Sequence, residues 1–128
     1  MNPQDLNYSE EHEWVRMEPG GVAVLGITEY AVASLGDVVF LDLPSPNVEL
    51  TQFEKVGEIE SVKAVSDIYS PINGRVIERN DRAMENPEIV NESPYGSGWL
   101  LRVAVADDSG IDVLMTTDKY NDFLATQG

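Results

Sequence analysis

The stretch Glu-Ser-Val-Lys-Ala-Val-Ser-Asp-Ile-Tyr-Ser-Pro-Ile-Asn-Gly, residues 60–74, contains a lysine between two strand-like segments. Residues 55–62 and 66–70 carry β-branched and aromatic side chains, and the chain reverses between them at Lys63 and Ala64. Such side chains favour strands, and a short reversal between two strands favours a hairpin. The stretch therefore predicts a β-hairpin that holds the Lys63 amine at its tip.

The chain has three lysines, Lys55, Lys63 and Lys119, and Lys63 is the one flanked by the small apolar residues Val62 and Ala64. A lysine at a hairpin tip is ordinarily a solvated surface residue. The local pattern alone leaves two interpretations open, a plain loop residue and an amine placed to carry a covalent group.

The first forty residues predict a hairpin, a helix and a strand. Residues 13–17 and 22–27 are strand candidates joined by a Pro-Gly-Gly turn, and Thr28 is placed to cap a short helix that ends at Gly36. Residues 37–43 are β-branched and aromatic, which predicts a strand buried on both faces. We expect Trp14, Phe40 and Trp99 in the core.

The second half of the chain predicts further strands and a helical end. Residues 75–79 and a segment from Gly98 to Val105 are strand candidates, and residues 80–95 predict a packed surface loop with at most a helical turn. Asp107 and Asp108 suit a helix start, so a helical tail is expected over about residues 108–126. We predict a single domain, residues 1–128, of the mainly β (α+β) class, built as a sandwich or flattened barrel.

Composition excludes several classes of function. The chain has 8 basic and 23 acidic residues and a formal charge of −15, which disfavours nucleic acids and anionic membrane surfaces as partners. Cysteine is absent, so disulfides, thiolate metal sites and a cysteine nucleophile are excluded. No apolar run reaches the roughly 20 residues of a membrane span. His12 stands alone, and Asp107, Asp108 and Asp112 lack the spacing of a calcium loop, so no metal site is predicted.

Several spaced blocks, in this order, resemble the glycine cleavage system H protein family. They are Tyr-Ser-Glu-Glu-His-Glu-Trp-Val (residues 8–15), Gly-Ile-Thr-Glu-Tyr-Ala (26–31), Leu-Gly-Asp-Val-Val-Phe-Leu-Asp-Leu-Pro (35–44), Glu-Ser-Val-Lys-Ala-Val-Ser-Asp-Ile-Tyr-Ser-Pro (60–71), Asn-Glu-Ser-Pro-Tyr-Gly-Ser-Gly-Trp (91–99) and Leu-Met before Tyr-Asn-Asp-Phe-Leu (114–124). The resemblance implies a hybrid fold of the lipoyl/biotinyl-carrier type.

The resemblance also implies a cofactor and partners. In that family the lysine of Glu-Ser-Val-Lys-Ala carries lipoate, which here makes Lys63 the attachment site within a motif formed by Glu60, Ser61, Val62 and Ala64. A lipoate ligase or lipoyl transferase would attach the group. The carrier, not itself an enzyme, would take an aminomethyl group from the pyridoxal-phosphate glycine decarboxylase to a tetrahydrofolate-dependent aminomethyltransferase. Dihydrolipoyl dehydrogenase would then reoxidise the arm.

Family members guard the loaded arm in a surface cleft with an acidic lining. The matching positions are Glu13 and Asp67, and Ser34 occupies a cleft position that is often histidine. The resemblance also sets the expected compartment, the bacterial cytosol, or the mitochondrial matrix for a mature eukaryotic form.

Three alternatives stay open from the sequence. One is an H-like protein that relays lipoate in another pathway, because it would keep the same motif. Another is a different lipoyl or biotinyl swinging-arm domain, although those typically show Asp-Lys-Ala or Met-Lys-Met at the tip. The third is an interaction module that is never modified.

Overall fold

A computed structural model describes residues 2–127 as two antiparallel sheets with helices at their ends. The strands are β1 Asn7–Tyr8, β2 Glu13–Glu18, β3 Val22–Ile27, β4 Val38–Asp42, β5 Glu49–Leu50, β6 Lys55–Ser61, β7 Val65–Tyr69, β8 Gly74–Arg79 and β9 Leu101–Val105. The helices are α1 Glu29–Leu35, α2 Asp81–Glu85, α3 Glu88–Glu92 and α4 Thr117–Ala125, with a 3-10 turn at Ile111–Val113.

The strands are divided between a six-stranded and a three-stranded sheet. The larger sheet has the order β1-β2-β3-β9-β8-β5, and the smaller has β4-β6-β7, with β6 in the middle. Over the described residues neither sheet closes on itself, so the architecture is a sandwich and not a closed barrel. The predicted mainly β class, with one internal helix and a C-terminal helix, is confirmed.

The main core lies between the two sheets. Val15, Leu25 and Val103 of the larger sheet share one buried cluster with Leu41 and Ile59 of the smaller sheet. A second cluster, which we call the aromatic cluster, lies under α4 and consists of Leu6, Tyr8, Trp14, Val24 and Tyr120. Trp14 is fully buried as predicted, whereas Trp99 is only partly buried and packs against the aromatic cluster.

The predicted caps of α1 are confirmed. The Thr28 side chain accepts a hydrogen bond from the backbone N–H of Ala31, at 3.3 Å, as N-cap residues do. Gly36 ends the helix at φ +80°, a conformation that favours glycine, and its N–H donates to the Val32 carbonyl. Hydrogen bonds therefore fix both ends of α1. The helix ends just before Val38, where β4 of the smaller sheet begins.

The prediction that residues 37–43 form a strand buried on both faces is wrong, and so is the placement of Phe40 in the core. Phe40 is 54% exposed and Val39 is 48% exposed. The register of β4 against β6 shifts between Val38 and Phe40, which is a β-bulge. An extra residue at a bulge interrupts the inward–outward alternation of a strand, so both side chains face outward here.

Residues 80–95 contain two short helices, so the prediction of a loop with at most a helical turn is wrong. The Asn80 side chain accepts a hydrogen bond from the Ala83 N–H and starts α2, and α3 follows Pro87. The Asn80 amide also donates to the carbonyls of Ser97 and Trp99, at 2.9 and 2.7 Å. These hydrogen bonds from Asn80 to distant residues hold residues 80–95 in place, although the sequence of this polar stretch has no clear helical periodicity.

The C-terminal region begins its long helix later than Asp107 and Asp108 suggested. The expected tail over 108–126 consists of a 3-10 turn, an extended segment and α4, which is capped by the Thr116 side chain. The extended segment exists because Met115 exchanges two backbone hydrogen bonds with Tyr8, at 2.8 and 2.9 Å. A long-range pairing with the first strand therefore replaces the first turns of the predicted helix.

The N-terminal segment lies against α4. The Asn2 amide donates to the Asn121 side chain at 2.7 Å, and the Thr117 hydroxyl donates to the Pro3 carbonyl at 2.9 Å. None of the helices within residues 2–127 combines the length and the apolar character needed to span a bilayer.

Candidate functional site

Lys63 lies in the middle of the three-residue loop between β6 and β7, residues 62–64, which the Ser61 side chain organises. The Ser61 N–H donates to the Ala64 carbonyl at 2.8 Å, which closes the hairpin. The Ser61 hydroxyl oxygen then accepts the N–H groups of Lys63 and Ala64, at 3.2 and 3.1 Å. Because both amides are satisfied from within, the loop needs no partner to hold its shape.

The Lys63 side chain is exposed, as the sequence predicted for a hairpin tip. Beside it, the Val62 N–H donates to the Asp37 carbonyl at 3.0 Å, which ties the loop to the start of β4. A Cβ at Gly36 would be 3.7 Å from Lys63 Cε, so the lysine stem passes the end of α1 at van der Waals distance. The amine is therefore presented at the corner between the hairpin and the helix.

Lys55, at the other end of the same hairpin, has a different environment. Its Nζ lies 2.7 Å from a Glu58 oxygen and 3.1 Å from an Asp67 oxygen. Lys63 forms no ion pair within residues 2–127. Both lysines are exposed, but only the Lys63 amine is available without breaking an existing pair.

A cleft of about 410 Å³ opens between α1 and the free edge of β7, and Val65, two residues after Lys63, is in its lining. The structure brings two of the three predicted pocket residues, Ser34 and Asp67, into its lining. Apolar surface comes from α1 and β7, and acidic character comes from Asp67 and Glu11. The full lining is Glu11, His12, Tyr30, Ala31, Ser34, Leu35, Val65, Ser66, Asp67 and Tyr69.

Glu13, the third predicted pocket residue, lies beneath the cleft and not in its lining. Its side chain is bonded to the Ser9 hydroxyl and accepts the Tyr69 N–H at 3.3 Å. The residue is only 4% exposed, and this burial raises the pKa of Glu13 to about 7. Glu13 therefore acts on the cleft through Tyr69, whose backbone it holds.

His12 forms a wall of the cleft that sequence reasoning did not identify. Its Nδ1 is 2.8 Å from the Tyr120 hydroxyl, and its ring packs on Tyr30 with 4.5 Å between centroids. The Tyr120 hydroxyl also contacts the Thr28 hydroxyl at 2.7 Å, so α4 and α1 are joined through one buried phenol. Burial lowers the pKa of His12. Family resemblance indicated the neighbouring residue Glu13. Nothing in the local sequence around the single histidine predicts its long-range contact with Tyr120.

A larger pocket of about 620 Å³ lies on the other side of Tyr69 and Glu11, which line both spaces. Its remaining walls are Tyr8, Ser9, Glu10, Phe53, Val113, Leu114 and Met115. No local sequence pattern predicts this pocket, because its residues come from four separate parts of the chain. Within residues 2–127 no three histidine, aspartate or glutamate side chains are grouped as metal ligands.

Comparison with known proteins identifies the family. The family model described as glycine cleavage H-protein matches residues 6–127. A glycine cleavage system H protein from Carboxydothermus hydrogenoformans is 42% identical over 126 residues, which cover 98% of this chain and 96% of the relative. One from Staphylococcus haemolyticus is 44% identical over 122 residues, covering 95% and 96%.

A solved structure agrees with these sequence relatives. The crystal structure of a glycine cleavage system H protein from Mycobacterium marinum superimposes with a TM-score of 0.87 at 37% identity, covering 94% of this chain and 97% of that one. The chain belongs to the glycine cleavage H-protein family.

Proposed function

We propose that this chain is a lipoyl carrier of glycine cleavage, with lipoate attached through an amide to Lys63. The observation that carries the proposal is the exposed Lys63 amine on a turn stabilised by Ser61, without an ion pair within residues 2–127 and two residues from Val65 of the cleft lining. Family membership supports the choice of lipoate. Glu60, Ser61, Val62 and Ala64 form the attachment motif around the lysine.

The residues beside Lys63 fit a lipoyl arm. Ala31, Leu35 and Val65 offer apolar surface to an aliphatic chain, and Glu11 and Asp67 offer carboxylates to a cationic end. When bound, the dithiolane would supply a disulfide that is reduced as an aminomethyl group is taken up and that must be reoxidised by another enzyme after the group has been released. The chain itself has no cysteine, so this redox chemistry requires the attached group.

The protein's residues hold and shield the arm. Asp67 is kept in position by Lys55 at 3.1 Å and by the Tyr69 hydroxyl at 3.4 Å, and its carboxylate can accept a charge-assisted hydrogen bond from an ammonium group. Glu13 fixes the Tyr69 backbone from below, and Ser34 contributes a hydroxyl from α1. A cleft of this size would exclude most water from an arm folded into it.

The carrier acts as a substrate of other enzymes in this proposal. Glycine decarboxylase would load it, the aminomethyltransferase would unload it, and dihydrolipoyl dehydrogenase would reoxidise it, after a lipoate ligase or lipoyl transferase has attached the group. Tethering keeps the reactive group at a raised effective concentration for each partner. The charge of −15 favours partner surfaces that carry basic patches.

The test is intact mass spectrometry after coexpression with a lipoate ligase in the presence of lipoate. Wild type should gain the mass of one lipoyl group, and Lys63→Arg should gain none. Lys55→Arg is the matched control, since Lys55 is also an exposed lysine of the same hairpin. An unmodified wild type, or modification that persists in Lys63→Arg, would refute the attachment site.

A second assay separates glycine cleavage from lipoate relay in another pathway. The lipoylated protein is incubated with glycine decarboxylase and isotopically labelled glycine, and the label retained on the protein is measured. We expect label on lipoylated wild type and none on Lys63→Arg. Lipoylated protein that takes up no label would contradict the role in glycine cleavage.

A further inference from the structure

Three outward-facing residues form a row across the smaller sheet directly below the Lys63 turn. Phe40 of β4 pairs with Glu60 of β6, and Glu60 pairs with Val65 of β7. Phe40 is 54% exposed and Val65 is 59% exposed. Side chains on directly opposite positions of neighbouring strands stand about 5 Å apart, so the three form one continuous surface. We call this surface the tip row.

The tip row depends on the β-bulge in β4. Without the shift between Val38 and Phe40, regular alternation would place the phenylalanine inward with the core. Val39, in the bulge, and Val62, in the turn, extend the apolar surface and are 48% and 69% exposed. Single exposed apolar residues need no explanation, but a group of them around one reactive amine marks an interaction surface.

Acidic residues border this apolar surface on one side. The next outward row of the same sheet is Asp42, Glu58 and Asp67, and Lys55 forms ion pairs with Glu58 and Asp67. Together with Glu60, the face presents an aromatic anchor bordered by carboxylates. Its complement is a partner surface with an apolar recess framed by arginine or lysine side chains.

We propose that the tip row is the docking face for the enzyme that acylates Lys63, with Phe40 inserted into an apolar recess of that enzyme. The inference rests on the proposed acylation of Lys63. The acylating enzyme is the occupant because it alone must reach the lysine nitrogen itself, and the tip row is exposed surface on the same hairpin, with Glu60 three residues before Lys63 and Val65 two residues after it. Enzymes that act on the far end of the arm need no contact so near its base.

The docked reaction is a simple acyl transfer. The neutral Lys63 Nζ attacks the carbonyl carbon of an acyl adenylate held by the enzyme. The amide C–N bond forms while the C–O bond to the phosphate breaks, the nucleoside monophosphate leaves with that electron pair, and the extra proton on nitrogen passes to solvent. The tip row only positions the Lys63 amine and takes no part in the chemistry.

The experiment measures initial rates of acylation of the full chain by a purified lipoate ligase with ATP and lipoate, followed by intact mass. Phe40→Ser should lower kcat/KM about tenfold, mainly through KM, since loss of a buried aromatic anchor commonly has an effect of that size. Phe53→Ser is the matched control, because Phe53 is 50% exposed and precedes the opposite end of the hairpin. Its rate should equal that of wild type.

Two further measurements separate docking from other causes. Phe40→Leu keeps an apolar side chain and should recover most of the rate. A small activated ester, which needs no docking, should acylate Lys63 equally fast in wild type and Phe40→Ser. Equal enzymatic rates for Phe40→Ser and Phe53→Ser would overturn the proposed docking face. So would an equal decrease of the Phe40→Ser rate when the small ester acylates Lys63. If wild type itself is not acylated, the proposed function fails instead.

Discussion

The two ends of the β6–β7 hairpin have similar residues and different surroundings. Each end has an exposed lysine with an exposed phenylalanine nearby, Lys63 with Phe40 at the tip, and Lys55 with Phe53 at what we call the root. At the root, Lys55 is bonded to two carboxylates, and the Tyr69 backbone is bonded to buried Glu13. At the tip, the lysine has no ion pair within residues 2–127, and the turn is held by one serine.

The difference shows that exposure alone does not make a lysine a good attachment point. An amine already bonded to carboxylates must lose those interactions before it can be acylated, whereas the Lys63 amine loses none. The root holds the hairpin to the sandwich, and the tip presents the amine. Substitutions at the two ends should therefore affect different properties, stability at the root and presentation at the tip.

The largest effect is expected at Gly57, near the root. A Cβ there would overlap the backbone carbonyl oxygen of Asp42 in the neighbouring strand, and backbone cannot move aside as a flexible side chain does. Gly57→Ala should lower the free energy of unfolding by about 3 kcal/mol or more. Denaturant unfolding followed by circular dichroism measures it.

Gly36→Ala, beside the tip, is the control for that substitution. Its Cβ would meet only Lys63 Cε at 3.7 Å, so the cost comes from the backbone conformation, φ +80° with ψ −153°, which essentially only glycine adopts, and should be about 1–3 kcal/mol. Equal losses for the two alanines would mean that root and tip do not differ as described.

The second-largest effect on stability is expected at Glu13, and it depends on pH. Its pKa is raised from 4.5 to about 7 in the fold, so between these values the folded protein binds a proton that the unfolded chain has released. Wild type therefore loses stability as pH rises from 5 to 8, by an amount on the order of 3 kcal/mol from this group. Glu13→Gln cannot ionise and should lack that loss.

The measurement is the difference in unfolding free energy between Glu13→Gln and wild type at several pH values. That difference isolates Glu13 from the many other carboxylates of the chain. The unfolding free energy of Glu13→Gln relative to wild type should increase as pH rises. A difference independent of pH would refute the burial of an ionisable Glu13.

The smallest effect is expected at the tip. Ser61→Ala removes the acceptor used by the Lys63 and Ala64 amides and should cost about 1–2 kcal/mol. Hydrogen exchange by NMR should show faster exchange at these two amides than in wild type. Ser66→Ala, at an exposed position in β7, should leave both amides unchanged. If both variants exchange alike, Ser61 does not hold the turn.

The elements that follow from local chemistry were predictable from the sequence. A Pro-Gly-Gly turn between two strand patterns, a threonine before an apolar helical period and a glycine after it each act within a few residues. The same holds for the Lys63 turn, where Ser61 and Ala64 are close neighbours. Physical chemistry at this range depends little on the rest of the molecule.

The elements that were missed depend on distant contacts. Phe40 faces solvent because β4 is bulged against β6, and alternation along β4 carries no signal of it. The start of α4 is displaced by the pairing of Met115 with Tyr8. For the cleft, family resemblance pointed to Ser34 and Asp67, which it contains, but the burial of Glu13 and the place of His12 required the packed structure.

The contact of the N-terminal segment with α4 has a consequence for engineering. Since Asn2 is bonded to Asn121 and Pro3 to Thr117, residues 2–3 lie beside the last helix, and a peptide linker could join the two termini. New ends could then be opened at the exposed Gly20–Gly21 turn, giving a circularly permuted carrier whose lysine hairpin is unaltered.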